Sequence, residues 1–249
     1  MLAELERCVE QPATSVRRVP AWAATAAVLM VMLAVNIAVH LGWGSLWLGP
    51  LVAVTLVVFA RRTGLPWSQL GLSRERAGSG ARWALTAIGV VGAAYLVGVL
   101  LPLTRAAFLD ARYHLAVSGA LISAFVVIPL GTVLLEEVAF RSVLWGMLGR
   151  HMTAWRVLGT TSALFGLWHI LPSLHLATAN QGMSEAVQGA GGTATALVVA
   201  GTVAFTALGG VVAGELRRRS GHLLASAGMH WATNALGVLF GLVAWRLVG

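Results

Sequence analysis

Residues 134–142, LLEEVAFRS, place two adjacent carboxylates and an arginine inside one of the most apolar regions of the chain. The surrounding segment, residues 117–149, is long and apolar enough to cross a membrane as a helix. An ionisable side chain in the hydrocarbon interior costs about 2.5–3.5 kcal/mol on insertion scales. Glu136, Glu137 and Arg141 therefore need either ion-pair partners or water on which they act.

The composition of the whole chain is typical of a membrane protein. Of its 249 residues, 58% are hydrophobic and only 10% are charged, whereas soluble domains average about 25% charged residues. All of the positive charge comes from 17 arginines. They cluster between apolar runs, so membrane topology explains them better than nucleic-acid binding, and we expect no nucleic-acid partner.

Cys8 is the single cysteine of the chain, so no intrachain disulfide can form.

The apolar runs predict an all-α fold, a polytopic helical membrane protein with about seven to eight transmembrane helices. The candidate spans are residues 21–41, 45–60, 83–103, 117–149, 155–171, 193–215 and 222–248. The second span is short. An eighth span arises if a long segment splits, and the fourth, which contains Pro129 and Gly131, is a candidate for a kink or break.

Arginines are concentrated in alternate connections between these spans. This set comprises Arg7, Arg17, Arg18, Arg61, Arg62, Arg74, Arg76, Arg82, Arg150, Arg156, Arg217, Arg218 and Arg219. The opposite connections carry only Arg105 and Arg112, with Arg246 near the end. The asymmetry predicts a multi-pass protein of the cell inner (plasma) membrane with a cytoplasmic N-terminus. Membrane lipids are therefore partners, and the amphipathic connection 61–82 either contacts their headgroups or is a solvated loop.

The polar groups of the fourth span occupy two faces of a helix. Glu137 and Arg141 are four residues apart and lie on nearly the same face, which suits an ion pair. Glu136 points about 100° away from Glu137 and lacks that local partner. An alternative is that both glutamates share the arginine as a structural clamp.

Two later spans carry polar pairs with the same spacing. Phe165 precedes His169 by one turn, and Pro172 is expected to end their helix. A lone histidine in an apolar helix is more often a satisfied core residue than a functional group. His230 and Asn234 form a compact hydrogen-bonding pair, which serves either a site or an interhelical contact that holds the bundle together.

The three helices bring these polar groups to a similar depth. At 1.5 Å per residue, Glu136 and His169 lie roughly 20 Å from the cytoplasmic ends of their helices, and His230 roughly 12 Å. We therefore expect these groups and Asn234 to share one hydrated pocket. Because the hydrocarbon region supplies no water, this pocket is expected to open to the cytoplasm.

The order of the motifs, EExxxR at 136–141, FxxxH at 165–169 and HxxxN at 230–234, resembles the CPBP family of CAAX proteases and bacteriocin-processing enzymes, also called the Abi family. The likeness covers about residues 117–240 and implies a CAAX-protease-like bundle that is an intramembrane endopeptidase. On this reading residues 1–20 are a polar cytoplasmic tail. Residues 21–116 hold N-terminal helices and the amphipathic connection, and residues 117–249 form the catalytic bundle.

The resemblance also implies roles for individual side chains. Glu136 is similar to the residue that activates the hydrolytic water, and His169 to the histidine that holds or deprotonates this water. His230 and Asn234 resemble the pair that stabilises the oxyanion. The supporting positions are Glu137, Arg141 and Phe165.

The sequence leaves both the cofactor and the substrate undecided. We expect no obligatory metal. If zinc binds, Glu136, His169 and His230 are its expected ligands, since two imidazoles and a carboxylate are a plausible zinc set. The substrate is expected to be a peptide or lipidated peptide, either membrane-anchored, prenylated or bacteriocin-like.

Two other functions fit the same polar groups. One is a non-catalytic membrane scaffold or bacteriocin-immunity protein on the same fold, since fold does not fix activity. The other is a proton-coupled carrier that uses the glutamates and histidines as a proton path.

Overall fold

The chain folds as a bundle of helices, in a computed structural model that describes residues 20–249. Within these residues there is no β-strand, and Asp110 and Asn180 form one antiparallel bridge. The predicted all-α, polytopic helical fold is confirmed. The predicted tail, with Cys8 and its three arginines, lies outside the described residues except for Pro20.

The long helices are numbered α1 to α7 in chain order. They are Ala21–Ala38, Leu48–Arg62, Ala77–Leu100, Val117–Leu148, Ala154–Trp168, Ala194–Ser220 and Leu223–Val248. Shorter helices are Trp67–Leu70, Pro102–Arg105, Ile170–Ser173, Leu176–Ala179 and Gln181–Ala186, with 3₁₀ turns at Arg74–Arg76, Ala106–Phe108, Ala111–Tyr113 and Gly191–Thr193. Wider π-helical turns are Val39–Trp43 after α1, Ser123–Val127, Pro129–Val133 and Val138–Leu144 in α4, and Ala232–Leu236 in α7.

The number of membrane-spanning helices is smaller than expected. Within residues 20–249, five helices are long and apolar enough to cross a membrane, or six if Ala154–Trp168 and Ile170–Ala179 together form one bent span. The expected count of seven to eight is not confirmed. Helix α2 occupies the second predicted span, but its 15 residues fall short of the roughly 20 that a bilayer requires.

Pro129 does not break α4, so this segment does not supply an eighth span. The helix passes through the proline with π-helical turns, in which the Ile128 N–H donates to the carbonyl of Ser123. In the same register Pro129 has no N–H for the carbonyl of Ala124. The indole N–H of Trp231 donates to that carbonyl instead, at 2.9 Å, so α7 compensates for the proline in α4.

Pro172 ends α5 earlier than predicted. The helix stops at Trp168, four residues before the proline, and Pro172 lies inside the next short helix, which is bent away by 43°. The reason is that a proline ring clashes with the carbonyl four residues before it and cannot donate to it. That carbonyl, of Trp168, instead accepts a hydrogen bond from the buried Asn36 amide of α1 at 2.8 Å.

Small residues let neighbouring helices approach closely. A Cβ atom on Gly166 of α5 would lie 2.7 Å from the carbonyl oxygen of Val203 in α6. A Cβ atom on Gly228 of α7 would lie 2.6 Å from Cβ of Ala84 in α3. Without a hydrophobic driving force between helices in lipid, such contacts hold the bundle through van der Waals packing.

We expect Gly166→Ala to destabilise the bundle by about 1–3 kcal/mol, because a backbone carbonyl cannot move aside cheaply. The measurement is thermal unfolding of the purified protein in detergent. The matched control is Gly209→Ala in α6, where a Cβ atom meets nothing within 4 Å, and which should be neutral or slightly stabilising. Equal unfolding temperatures for the two variants would contradict the close contact.

Candidate active site

The ion pair expected from the spacing in α4 is present. Arg141 Nη1 lies 3.2 Å from Glu137 Oε1, and both side chains are almost fully buried. The guanidinium also stacks on the ring of Phe165 in α5, 3.8 Å from its centroid. This cation–π contact adds a second partner for the buried charge.

His230 of α7 connects the two glutamates of α4. Its Nδ1 lies 3.0 Å from Glu137 Oε1, and its Nε2 lies 3.6 Å from Glu136 Oε2. A carboxylate accepts hydrogen bonds, so Nδ1 of His230 carries the hydrogen. The imidazole is thereby fixed in one orientation, with Nε2 directed at Glu136.

Glu136 is buried, and its two carboxylate oxygens differ in their hydrogen-bond partners. Its Oε1 accepts a hydrogen bond from the indole N–H of Trp168 at 2.9 Å. Its Oε2 has no hydrogen-bond partner within the described part of the chain. The nearest imidazole nitrogens are Nε2 of His230 at 3.6 Å and Nε2 of His169 at 4.0 Å. One oxygen is thus held while the other remains available.

His169 lies at the break between α5 and the short helix that follows. Its ring Nδ1 is 2.8 Å from the carbonyl oxygen of Phe165. A carbonyl only accepts, which assigns the hydrogen to Nδ1 and leaves Nε2 of a neutral imidazole as an acceptor directed towards Glu136. The ring of Phe165 makes T-shaped contacts with the rings of His169 and His230, and the centroids lie 4.7 and 5.7 Å from its own.

A cavity of about 580 Å³ adjoins these groups. Glu136, His169 and Asn234 all line it. Asn234 is half-buried, and its side chain makes no hydrogen bond to another residue of 20–249. The structure therefore places His169 and His230 each within 4.0 Å of the Glu136 carboxylate, with Asn234 on the wall of the cavity that Glu136 lines.

Within residues 20–249, the cavity beside Glu136 leads away from the arginine-rich end, and its opening to the cytoplasm stays a prediction. Its wall continues from Glu136 to Asp110 and Asn180, in the connections at the opposite end of the bundle. In the other direction α4 is closely packed, because Val143 and Leu144 are fully buried in a core that includes Leu65 and Leu70. Among the described residues, these apolar side chains fill the bundle on the arginine-rich side of Glu136.

Three residues of this region were not predicted from the sequence. Trp168 holds Glu136, Asn36 caps the end of α5, and the Tyr95 hydroxyl donates to the carbonyl of Thr233 at 3.0 Å. Asn36 is a polar residue in an otherwise apolar run, which is a usable signal. Trp168 and Tyr95 give none, since aromatic residues are common in membrane helices.

The side chains of the site are not arranged as a zinc centre. Among residues 20–249, no three His, Cys, Asp or Glu side chains come together in a way that could hold a metal ion. Glu136, His169 and His230 therefore do not fit the metal as they stand.

Residues 118–236 match the family described as type II CAAX prenyl endopeptidase Rce1-like. The matched segment covers a little under half of the chain and contains the residues of the three motifs. No curated protein and no solved structure matches the chain significantly. With several apolar helices of spanning length, the chain is a multi-pass membrane protein. The match confirms the predicted resemblance, and it supports a general assignment to the intramembrane CAAX-type endopeptidases.

Proposed function

We propose that this protein hydrolyses a peptide bond within the membrane, with the carboxylate of Glu136 as the general base. The observation that supports this best is the position of Glu136 Oε2, which lies between the Nε2 atoms of His230 and His169, at 3.6 and 4.0 Å. Both distances are too long for a direct hydrogen bond. Glu136 also lines a cavity of about 580 Å³. A base so placed can reach a water molecule that enters the cavity.

The proposed chemistry uses one water molecule and side chains of this protein. Oε2 of Glu136 takes a proton from water while the water oxygen bonds to the carbonyl carbon of the peptide. His169, through the acceptor Nε2, holds the second hydrogen of this water and so orients it. When the carbon–nitrogen bond breaks, the proton on Glu136 passes to the leaving amine.

The oxygen of the tetrahedral intermediate requires donors, and His230 and Asn234 are proposed for this role. The Asn234 amide can donate as it stands. Because Nδ1 of His230 donates to Glu137, Nε2 can donate to the oxyanion only when the ring is an imidazolium. Glu137, which is also paired with Arg141, stands beside that charge and holds the ring in position.

The proposed substrate is a membrane-anchored peptide, with prenylated and bacteriocin-like peptides as candidates. The proposed orientation in the plasma membrane has a cytoplasmic N-terminus, on the basis of the arginine distribution.

No contact within residues 20–249 favours the alternative of a non-catalytic scaffold or immunity protein. A purely structural ion-pair clamp does not require the unpartnered oxygen of Glu136.

The test is turnover of a quenched-fluorescent peptide library by the protein purified in detergent, with and without a chelator. The proposal requires turnover that depends on Glu136. Retention of turnover in chelator agrees with the metal-free mechanism, whereas loss that added zinc restores would overturn it.

Trp168→Phe should lower kcat by about tenfold to a hundredfold, because it removes the hydrogen bond to the charged Glu136 at similar size. The control is Trp155→Phe, whose side chain is 68% exposed at the start of α5 and which should retain activity. If both variants turn over the library equally, the hydrogen bond has no part in positioning Glu136.

A further inference from the structure

A second cavity, of about 420 Å³, lies where the connection 61–82 meets the turn between α6 and α7. Four of the eight residues in its wall are arginines, namely Arg76, Arg217, Arg218 and Arg219. Of the described residues in the wall, Glu75 alone carries a carboxylate. A cavity lined so strongly by one sign of charge attracts ligands of the opposite sign.

Backbone contacts hold the two sides of this cavity together. The N–H of Leu223, at the start of α7, donates to the carbonyl of Gly71 at 2.8 Å. Nη2 of Arg217, in the last turn of α6, donates to the carbonyl of Gln69 at 3.1 Å. Gly71 has a φ of 71°, and a Cβ atom there would overlap the guanidinium of Arg217. The close approach of Gly71 therefore fixes the Arg217 side chain in the wall.

Arg217 is a buried cation without a counter-ion. Its side chain is buried, with the residue only 5% exposed. Within the part of the chain that the structure describes, it forms no ion pair with a carboxylate, and its Nε makes no hydrogen bond. The hydrogen bond to Gln69 uses one of the five N–H donors of the guanidinium. A buried charge left in this way is strongly unfavourable, so an anion in the adjoining cavity would stabilise it.

The neighbouring arginines are also incompletely neutralised. Arg218 and Arg219 share a single carboxylate, that of Glu215, and each lies 2.6 Å from it. Arg76 is exposed and forms no ion pair with another residue of 20–249. Against four arginines stand two carboxylates, Glu75 in the wall and Glu215 beside it, so the cluster keeps an excess of two positive charges.

The cavity lies at the level of the lipid headgroups. Helix α6 is apolar enough to span a membrane, and Arg217 belongs to its last turn. At this end of the bundle Trp67 and Trp155 are 48% and 68% exposed. The guanidinium groups of Arg61 and Arg218 lie over their rings, at 4.6 and 5.4 Å from the centroids. Exposed tryptophans beside arginines are typical of the membrane interface, where lipid phosphates are concentrated.

We propose that this cavity binds the phosphate group of an anionic ligand, with Arg76 and Arg217 as its main partners. A guanidinium presents paired N–H donors that match two oxygens of a phosphate. Arg218 and Arg219 add positive potential, and Glu75 is not a ligand. The depth of the cavity favours the headgroup of an anionic lipid over free phosphate. This site goes beyond the proposed function, because it involves neither Glu136 nor a peptide.

The test is the unfolding temperature of the full-length protein, purified and delipidated in an uncharged detergent. The probes are phosphatidylglycerol, zwitterionic phosphatidylcholine, and inorganic phosphate compared with chloride at equal ionic strength. The concentration dependence of the shift gives an apparent affinity. The variants are Arg217→Gln and Arg76→Gln, and the matched control is Arg74→Gln. Arg74 is exposed on the same connection but outside the wall, so all three variants lose the same charge.

Phosphatidylglycerol is expected to raise the unfolding temperature of the native protein more than phosphatidylcholine does. Both cavity variants should bind it about tenfold more weakly or worse, because each loses charged hydrogen bonds, whereas Arg74→Gln should bind as the native protein does. A shift with inorganic phosphate that needs the same two arginines would identify free phosphate as a ligand of the site, and a shift with the lipid alone would identify the headgroup.

Three results would refute the phosphate site. They are equal affinity in the cavity variants and Arg74→Gln, an equal response to the two lipids, and no response to either phosphatidylglycerol or inorganic phosphate. If Arg217→Gln does not fold, Arg76→Gln decides alone, since Arg76 is exposed and its loss disturbs no buried contact. Binding requires no turnover, so these outcomes do not depend on the proposed hydrolysis.

Discussion

Glu136→Gln is expected to reduce peptide hydrolysis by about 10²–10⁴-fold, which is the usual contribution of a general base. The glutamine keeps the shape of the side chain, and its amide oxygen can still accept from the indole of Trp168, which lies 2.9 Å from Oε1 in the native protein. It cannot take a proton from water. The measurement is kcat on a peptide that the purified protein cleaves.

The matched control is Glu75→Gln, which makes the same change on an exposed residue at the arginine-rich end of the bundle. This variant should turn over at the native rate. Both variants should elute from a sizing column as the native protein does, since neither change removes a buried ion pair. Native kcat in Glu136→Gln would assign the base to another group.

Arg141→Met is expected to cost about 3–5 kcal/mol of stability, because it leaves the carboxylate of Glu137 buried without its cation. Both side chains of this pair are 1–2% exposed, so water cannot replace the lost charge. The measurement is denaturant unfolding of the purified protein in mixed micelles. Activity should fall as well, since Glu137 also positions His230 at 3.0 Å.

Two further variants separate the buried pair from charge in general. Arg219→Met removes an arginine whose side chain is 58% exposed in its pair with Glu215, and exposed pairs contribute about 0–1 kcal/mol. The double variant Glu137→Gln with Arg141→Met should recover part of the lost stability, because no uncompensated charge remains. Equal losses in Arg141→Met and Arg219→Met would show that burial of the pair is not important for folding.

Pairs within one helix could be predicted from the sequence, whereas the individual hydrogen bonds between helices could not. The spacing of Glu137 and Arg141 predicted their ion pair, because residues four apart lie on the same face of a helix. Periodicity does not reveal the partner across an interface. The hydrogen bonds from His230 to Glu137 and from Trp168 to Glu136 therefore appear only in the folded bundle.

The direction in which the described cavity runs from Glu136 could not be predicted, for a related reason. Depth along a helix follows from residue counts, and the counts placed Glu136 and His169 at one level. Which direction a cavity takes depends on how side chains pack, here Val143 and Leu144 against Leu65 and Leu70. The short second apolar run was also counted as a span, although the 15 residues of α2 are too few to cross a bilayer.

The amide of Asn36 makes the N-terminal half of the protein part of the geometry of the candidate site. It replaces the donor that Pro172 lacks, and the backbone it fixes carries both Trp168 and His169. The segment with the family's sequence pattern, residues 118–236, contains neither this amide nor the Tyr95 hydroxyl. The motif residues alone therefore do not make a self-sufficient site, and transplanting them into another bundle would require an equivalent hydrogen bond to the end of α5.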